Sequence, residues 1–239
     1  MDQYRDALQA DKTESSRYYR TSVQIKTEQQ KYLERLLEGF TPQAIADIAC
    51  GGGGCSYHLA QQYPNAQFTL LDYNEDALVL AREAMRGRSA AFLAGDIHHL
   101  ALESGSFDLV VCWQTLSWID GADIAVRELM RICRPGGRIL ASSLFNLAHD
   151  VDVYARVHDH TRPSSTHGLG YLYNTYCLQT VREWVAGDAD VLIHPFDIPI
   201  DLGHEGRGIG TYTTRTVDGR RLQFSAGMLL NWGILELRK

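Results

Sequence analysis

An open, mostly parallel α/β sheet wound with helices on both faces is the fold class this sequence predicts. Three observations predict it. Short apolar runs alternate with helix-patterned segments across residues 44–145, the runs are too uniformly apolar to have a solvent face, and a four-glycine loop joins the first run to its helix.

The elements follow in order. Val23, Ile25, Tyr32, Leu33, Leu36 and Leu37 recur at loosely helical spacing and stop at Gly39, which predicts one leading helix over 22–38. "AIADIAC" (44–50) reads as a buried strand and 56–63 as a helix. "AQFTLLD" (66–72) is a second strand and 75–85 a second helix. "AAFLAGD" (90–96), "FDLVVCW" (107–113), a helix over 122–133 and "GGRILASSLF" (136–145) continue the alternation. After Phe145 the rhythm changes. A polar, aromatic stretch over 149–176 leads to a helix over 178–186 and a strand-like run over 190–200. Two alternating segments about Asp218-Gly219 then predict a β-hairpin, and "MLLNWGILELRK" a last strand.

At 239 residues, with 45% apolar and 22% charged residues and no linker-like stretch, the chain fits a single large domain. Its start is polar and no run approaches a membrane span, so a cytoplasmic protein with no membrane partner is expected. The net charge of -6 argues against nucleic acid, whose binding depends on phosphate neutralisation. Five cysteines without a CxxC pair read as buried thiols rather than as disulfides or a zinc site.

"DIACGGGGCSYHLA" (47–60) carries the most specific signal. Such a loop lies where an open α/β sheet takes its ligand, and glycine there permits positive φ and close backbone approach. The only lysines are Lys12, Lys26, Lys31 and Lys239, so neither a phosphate-binding lysine after the glycines nor a Tyr-x-x-x-Lys dyad exists in the body of the chain. Asp72, ending the second strand, suits a ribose diol. Nicotinamide dinucleotides and S-adenosylmethionine both stay open at this point.

Taken as an ordered set, residues 30–145 resemble the class I S-adenosylmethionine-dependent methyltransferases, in the branch that acts on small molecules. "DIACGGGG", "LLDYNEDAL" and "FLAGDIHHL" resemble that family's first three motifs; "SFDLVVCWQTLSWI" and "LMRICRPGGRILASS" resemble its fourth and fifth strands with their flanking turns. The resemblance implies a doubly wound, mostly parallel seven-stranded sheet with an antiparallel final strand, helices on both faces and an extra β-hairpin before the last strand. It also implies an N-terminal helical lid segment over 1–40 and a catalytic domain over 41–239, with substrate-facing insertions at 146–176 and 201–227. One departure is Ala49, which stands at the family's first glycine.

The cofactor implied is S-adenosylmethionine, with S-adenosylhomocysteine as product. Asp47 with Ala49, Cys50, Gly51 and Gly53 would hold its methionine portion, and Asp72, Tyr73 and Asn74 the ribose side. Asp96 and Ile97 would meet the adenine, while Trp113 and Gln114 would line the methionine end. Tyr19 and Arg20 would close over it. Gly52 lies at a position the pattern leaves free, so Gly52→Ala is expected to be milder than Gly51→Ala.

The implied reaction is methyl transfer to an O, N or C nucleophile of a small molecule, in natural-product or saccharide biosynthesis. His149 and His167 are the candidate general bases. His98-His99 and the group around His158 lack a recognised metal spacing, so no metal is expected. A homodimer is left open. The alternatives are a nucleic-acid or protein methyltransferase, against which "CWQT" replaces an NPPY-like motif, and a nicotinamide-dependent oxidoreductase.

Overall fold

A computed structural model describes residues 12–161, 171–204, 206 and 208–239. Its main sheet runs β3(Ala90–Ala94), β2(Gln67–Asp72), β1(Ala44–Ile48), β4(Phe107–Trp113), β5(Cys133–Asn146), β13(Trp232–Arg238) and β9(Asp190–Pro195), and a two-residue β8(Tyr176–Cys177) pairs with β5 off this path. The first five strands pair parallel, while β13 is antiparallel to both β5 and β9. This is the predicted sheet.

Strand alternation splits the core into two layers. Ile45, Leu70, Leu109, Val111, Leu140 and Ile234 face one layer with Leu33, Leu59 and Leu78 from the helices α2(Glu28–Leu36), α3(Gly54–Gln62) and α4(Glu75–Ala84). Ala46, Ile48, Val110, Cys112, Ile139 and Leu235 face the other, against α5(Ala122–Ile132) and α6(Leu178–Val185). Both sheet faces are therefore covered, which explains why the strands are apolar throughout. The five cysteines are all free and buried. Among the described residues no helix is long and apolar enough to cross a membrane.

The predicted leading helix is in fact two, α1(Lys12–Gln24) and α2. Thr27 breaks the run. Its hydroxyl accepts from the Gln30 backbone N–H at 3.2 Å, and Gln30 Oε1 accepts from the Thr27 N–H at 2.9 Å. This capping box starts α2 afresh, and its Thr-x-x-Gln signature stands openly in the sequence.

Beyond Asn146 the predicted hairpin about Asp218-Gly219 is present as β10(Tyr212–Arg215) and β11(Arg221–Ser225). The expected last strand divides. Met228–Leu229 forms β12 and completes a small separate sheet with β11, and only Trp232 onward enters the main sheet. A further two-residue pair, β6(Arg156–Val157) with β7(Tyr171–Leu172), lies in the 146–176 insertion, which falls partly outside the described residues.

Candidate functional site

Strand order reverses between β1 and β4, and the glycine loop leaves β1 at that point. Such a reversal opens a crevice at the carboxyl ends of the strands. Ala49, Gly51 and Gly53 all have positive φ, at 59°, 52° and 74°. The family's first glycine position thus demands a left-handed backbone here as well, and Ala49 adopts it at a strain of about 1–2 kcal/mol. The turn closes with Gly53 N–H donating to Cys50 O at 2.9 Å.

Helix α1 packs on α3 and α4 and lies directly over this loop. A Cβ on Gly51 would sit 2.7 Å from the Tyr19 ring, and one on Gly52 would sit 2.4 Å from Tyr19 Cβ. One on Gly54 would fall 2.4 Å from Ser22 Oγ, and one on Gly53 3.1 Å from Ala81 Cβ. All four glycines are therefore sterically committed. The expectation that Gly52 is free to change does not hold, because the root of Tyr19 cannot swing aside as a ring edge can. Tyr19 lies on the loop. Arg20, by contrast, reaches Glu83 on α4 at 3.6 Å, with both side chains more than half exposed.

Carboxylates close the first two strands. Asp47 is wholly buried, and its Oδ2 accepts from Ser56 N at 3.2 Å and Ser56 Oγ at 2.6 Å, at the start of α3. Its Oδ1 is buried without a hydrogen-bond partner. Desolvation raises its pKa from 3.8 to about 6, outweighing the two Ser56 hydrogen bonds. Asp72 accepts from Gly51 N and Asn74 N, both at 2.8 Å, tying the loop to the end of β2. Desolvation leaves its pKa raised as well. Asn74 proves to be the N-cap of α4, its Oδ1 accepting from Asp76 N and Ala77 N, so its carbonyl is spent on the helix. Tyr73 stands between them, half-buried.

Past β3, Asp96 Oδ1 accepts from the His98 backbone at 3.0 Å and contacts His98 Nδ1 at 2.7 Å, while His98 Nε2 meets Asp120 O at 2.7 Å. Desolvation works to raise the Asp96 pKa, yet the His98 contacts together hold it below the ordinary value. His98 is thus a brace that orients Asp96, leaving Oδ2 for a ligand, with Ile97 buried beside it. Of the adjacent His98 and His99, only His99 is exposed.

At the end of β4, Trp113 packs half-buried against the α2 layer, and Gln114 holds a left-handed backbone, φ 53°. Gln114 Oε1 accepts from Tyr18 Oη at 3.0 Å and its Nε2 donates to Gln29 Oε1 at 2.7 Å. Gln29, 4% exposed on α2, also accepts from Ser142 Oγ of β5 at 3.3 Å. Gln29 and Ser142 escaped the sequence reading because their partners lie 85 and 113 residues away in the chain. His149 is exposed in the loop after β5, its backbone bound to Asn146 Oδ1 at 3.2 Å, and His167 lies outside the described residues. Among the described residues no three His, Cys, Asp or Glu side chains gather as a metal set.

A doubly wound sheet with a glycine loop at its switch point and a carboxylate closing each of its first two strands defines the class I, Rossmann-like architecture. Residues 45–137 match the family described as Methyltransferase domain. Over 124 residues it is 35% identical to a malonyl-[acyl-carrier protein] O-methyltransferase of Geobacter sulfurreducens, covering 49% of this chain and 46% of that protein. A fatty-acid O-methyltransferase of Mycolicibacterium smegmatis is 29% identical over 40% of this chain and 35% of its own length. The chain thus spans about half the length, or less, of the curated relatives it matches. Among solved structures, the YcgJ protein of Bacillus subtilis superposes with a TM-score of 0.57 at 14% identity, covering 88% of this chain and 97% of that one. The [4+2]-cyclase SpnF does so with a TM-score of 0.52 at 17% identity, over 70% of this chain and 58% of its own. That the fold hosts different named activities makes the site, not the fold, the ground for function.

Proposed function

We propose that this chain is an S-adenosylmethionine-dependent methyltransferase whose acceptor is a carboxylate oxygen of a small or carrier-held acid. The observation that carries the cofactor is Asp47 Oδ1, a buried carboxylate oxygen with no partner, beside the glycine loop. A buried anion left half-satisfied is costly, and an ammonium such as that of a methionine moiety offsets it. The rest of the site fits the same ligand. Asp72 presents a fixed carboxylate for the ribose hydroxyls, Asp96 Oδ2 an acceptor for the adenine amine, and Ile97 an apolar surface for the ring.

When bound, S-adenosylmethionine supplies an electrophilic methyl group on a sulfonium. The chain's own residues bind, orient and keep water out. Tyr19 covers the loop, and the Tyr18–Gln114–Gln29–Ser142 hydrogen bonds draw α1 and α2 onto the ends of β4 and β5. Holding two reactants in line is itself a large source of rate, with effective molarities of about 10⁵–10⁸ M in model reactions.

The acceptor reading takes support from the relatives, whose names specify O-methylation of malonyl and fatty acids. It also takes support from the side chains that meet at this end of the cleft, which are amides and hydroxyls. A carboxylate is ionised at neutral pH, so no residue has to remove its proton. The test is incubation with methyl-labelled S-adenosylmethionine and a panel of carboxylic acids, alcohols and amines. Label released by mild alkali, as from a methyl ester, is the expected result. Label found only on base-stable ethers or amines overturns it.

A further inference from the structure

Among the described residues, two side-chain N–H donors on one face of the sheet make no hydrogen bond, and that of Trp232 is buried. Gln29 uses only its Oε1, towards Gln114 and Ser142, and among the described residues its Nε2 makes no hydrogen bond. Trp232, 7% exposed, has its Nε1 buried without an acceptor. An unsatisfied buried donor ordinarily costs about 1–3 kcal/mol, so the Trp232 indole calls for an explanation, and the Gln29 amide beside it keeps a free donor.

Strand register places the two together. Ser142, beneath Gln29, pairs with Ile234, and Leu144 pairs with Trp232. Directly opposed residues share a face, and positions two apart on a strand share it too. Trp232 therefore lies one strand across and two residues along from Ser142, about 5 Å by about 7 Å. The wall between them is apolar. Leu144, Tyr173, Phe196, Leu230 and Trp232 form one cluster, and Tyr32, one turn beyond Gln29 on α2, brings its ring within 5.3 Å of Phe196.

We propose that Gln29 and Trp232 hold the methyl acceptor, donating to the oxygens of a carboxyl or acyl group whose apolar body lies on Leu144, Tyr173 and Phe196. Two donors select an oxygen-rich head, and the cluster selects a hydrocarbon body. Gln114 and Ser142 fix the orientation of the Gln29 amide by occupying its carbonyl. This assignment rests on the carboxylate reading of the site and adds which residues recognise it.

The experiment is calorimetric titration of the chain, saturated with S-adenosylhomocysteine, with decanoate, decan-1-ol and decylamine, for the wild type, Trp232→Phe and Gln29→Glu. Wild type is expected to bind decanoate about tenfold more tightly than decan-1-ol. Trp232→Phe keeps the aromatic wall and loses the donor, so decanoate weakens about three- to tenfold while decan-1-ol changes little. Gln29→Glu places a negative charge against the carboxylate and shifts the preference to decylamine. An unchanged S-adenosylhomocysteine affinity shows that Trp232→Phe is folded, so the assignment stays testable even if Gln29→Glu is not. Decanoate affinity equal to wild type in Trp232→Phe overturns the assignment, as does a wild type that does not prefer decanoate. Decanoate bound as expected, yet yielding no methyl ester with the labelled donor, refutes the proposed function and leaves the assignment standing. Ester formed with affinities unmoved by either variant does the reverse.

Discussion

At the ends of β1 and β2 buried carboxylates hold the turn that leads into α3, whereas beyond Asn146 carboxylates tie one loop to another. In the first region Asp47 meets Ser56 across the strand-to-helix turn, and Asp72 meets Gly51 of the same turn from the neighbouring strand. In the second, Asp152 accepts from Cys177 N at 2.8 Å and from Thr180 Oγ1 at 2.7 Å, and Asp159 accepts from Ile209 N at 3.2 Å. Carboxylates do both jobs. In the first region they anchor the glycine loop, and Asp47 keeps one oxygen without a partner among the described residues. In the second they are fully occupied in tying loops to the sheet.

The largest effect that tests this contrast is at Asp47. Asp47→Asn should weaken S-adenosylmethionine binding about 100-fold by calorimetry, since a charge-assisted contact is lost. The same variant should stabilise the unliganded chain. The folded pKa of about 6 lies above the ordinary 3.8, so Asp47's favourable contribution is complete below about 3.8 and is lost as pH rises through about 6. Melting curves should therefore place the variant about 1–3 kcal/mol above wild type at pH 8, with the gap closing by pH 4. Asp159→Asn, in the other region, should destabilise at every pH by melting curves and leave cofactor affinity unmoved; a cofactor defect there would erase the division between the regions.

Gly52→Ala comes next. Its Cβ meets Tyr19 at the root, so α1 must lift, and a loss of about 1–3 kcal/mol in melting curves with faster proteolysis before Thr27 is expected. Tyr19→Ala should fail to rescue it because the alanine keeps the offending Cβ, whereas Tyr19→Gly should succeed. Ala49→Gly should act the other way, relieving the left-handed strain for a gain of about 0.5–1 kcal/mol by denaturant melts. The smallest effect expected is that of His149→Ala, whose exposed ring should leave kcat within about twofold and the pH profile unmoved; loss of the neutral-pH limb would restore it as the base.

The same contrast explains what could be read from the chain. Asp47, Asp72, Asp96, Trp113 and the glycines were legible because each ends a strand whose apolar run announces it. Ala49 was legible as a departure, but its positive φ was not, since composition does not report backbone sign. Gln29 was invisible: a glutamine at a helical position looks solvated, and only its contact with Gln114, 85 residues away, buries it. Trp232 was read as part of a last strand, and its unpaired indole follows from register against β5, which no local pattern fixes. The break at Thr27 is different. Its capping box was present in the letters and was outweighed by the helical spacing around it.

The close fit of α1 on the glycine loop bears on how such proteins can be recombined. Tyr19 and Ser22 fill the space that side chains at Gly51, Gly52 and Gly54 would need, so loop and helix are complementary surfaces separated by about thirty residues of chain. Grafting a relative's N-terminal segment onto this sheet would put a foreign contour against the loop, either prising the helix up or leaving a void above the glycines. In chimaeras, residues 12–24 and 49–54 should move as one cassette.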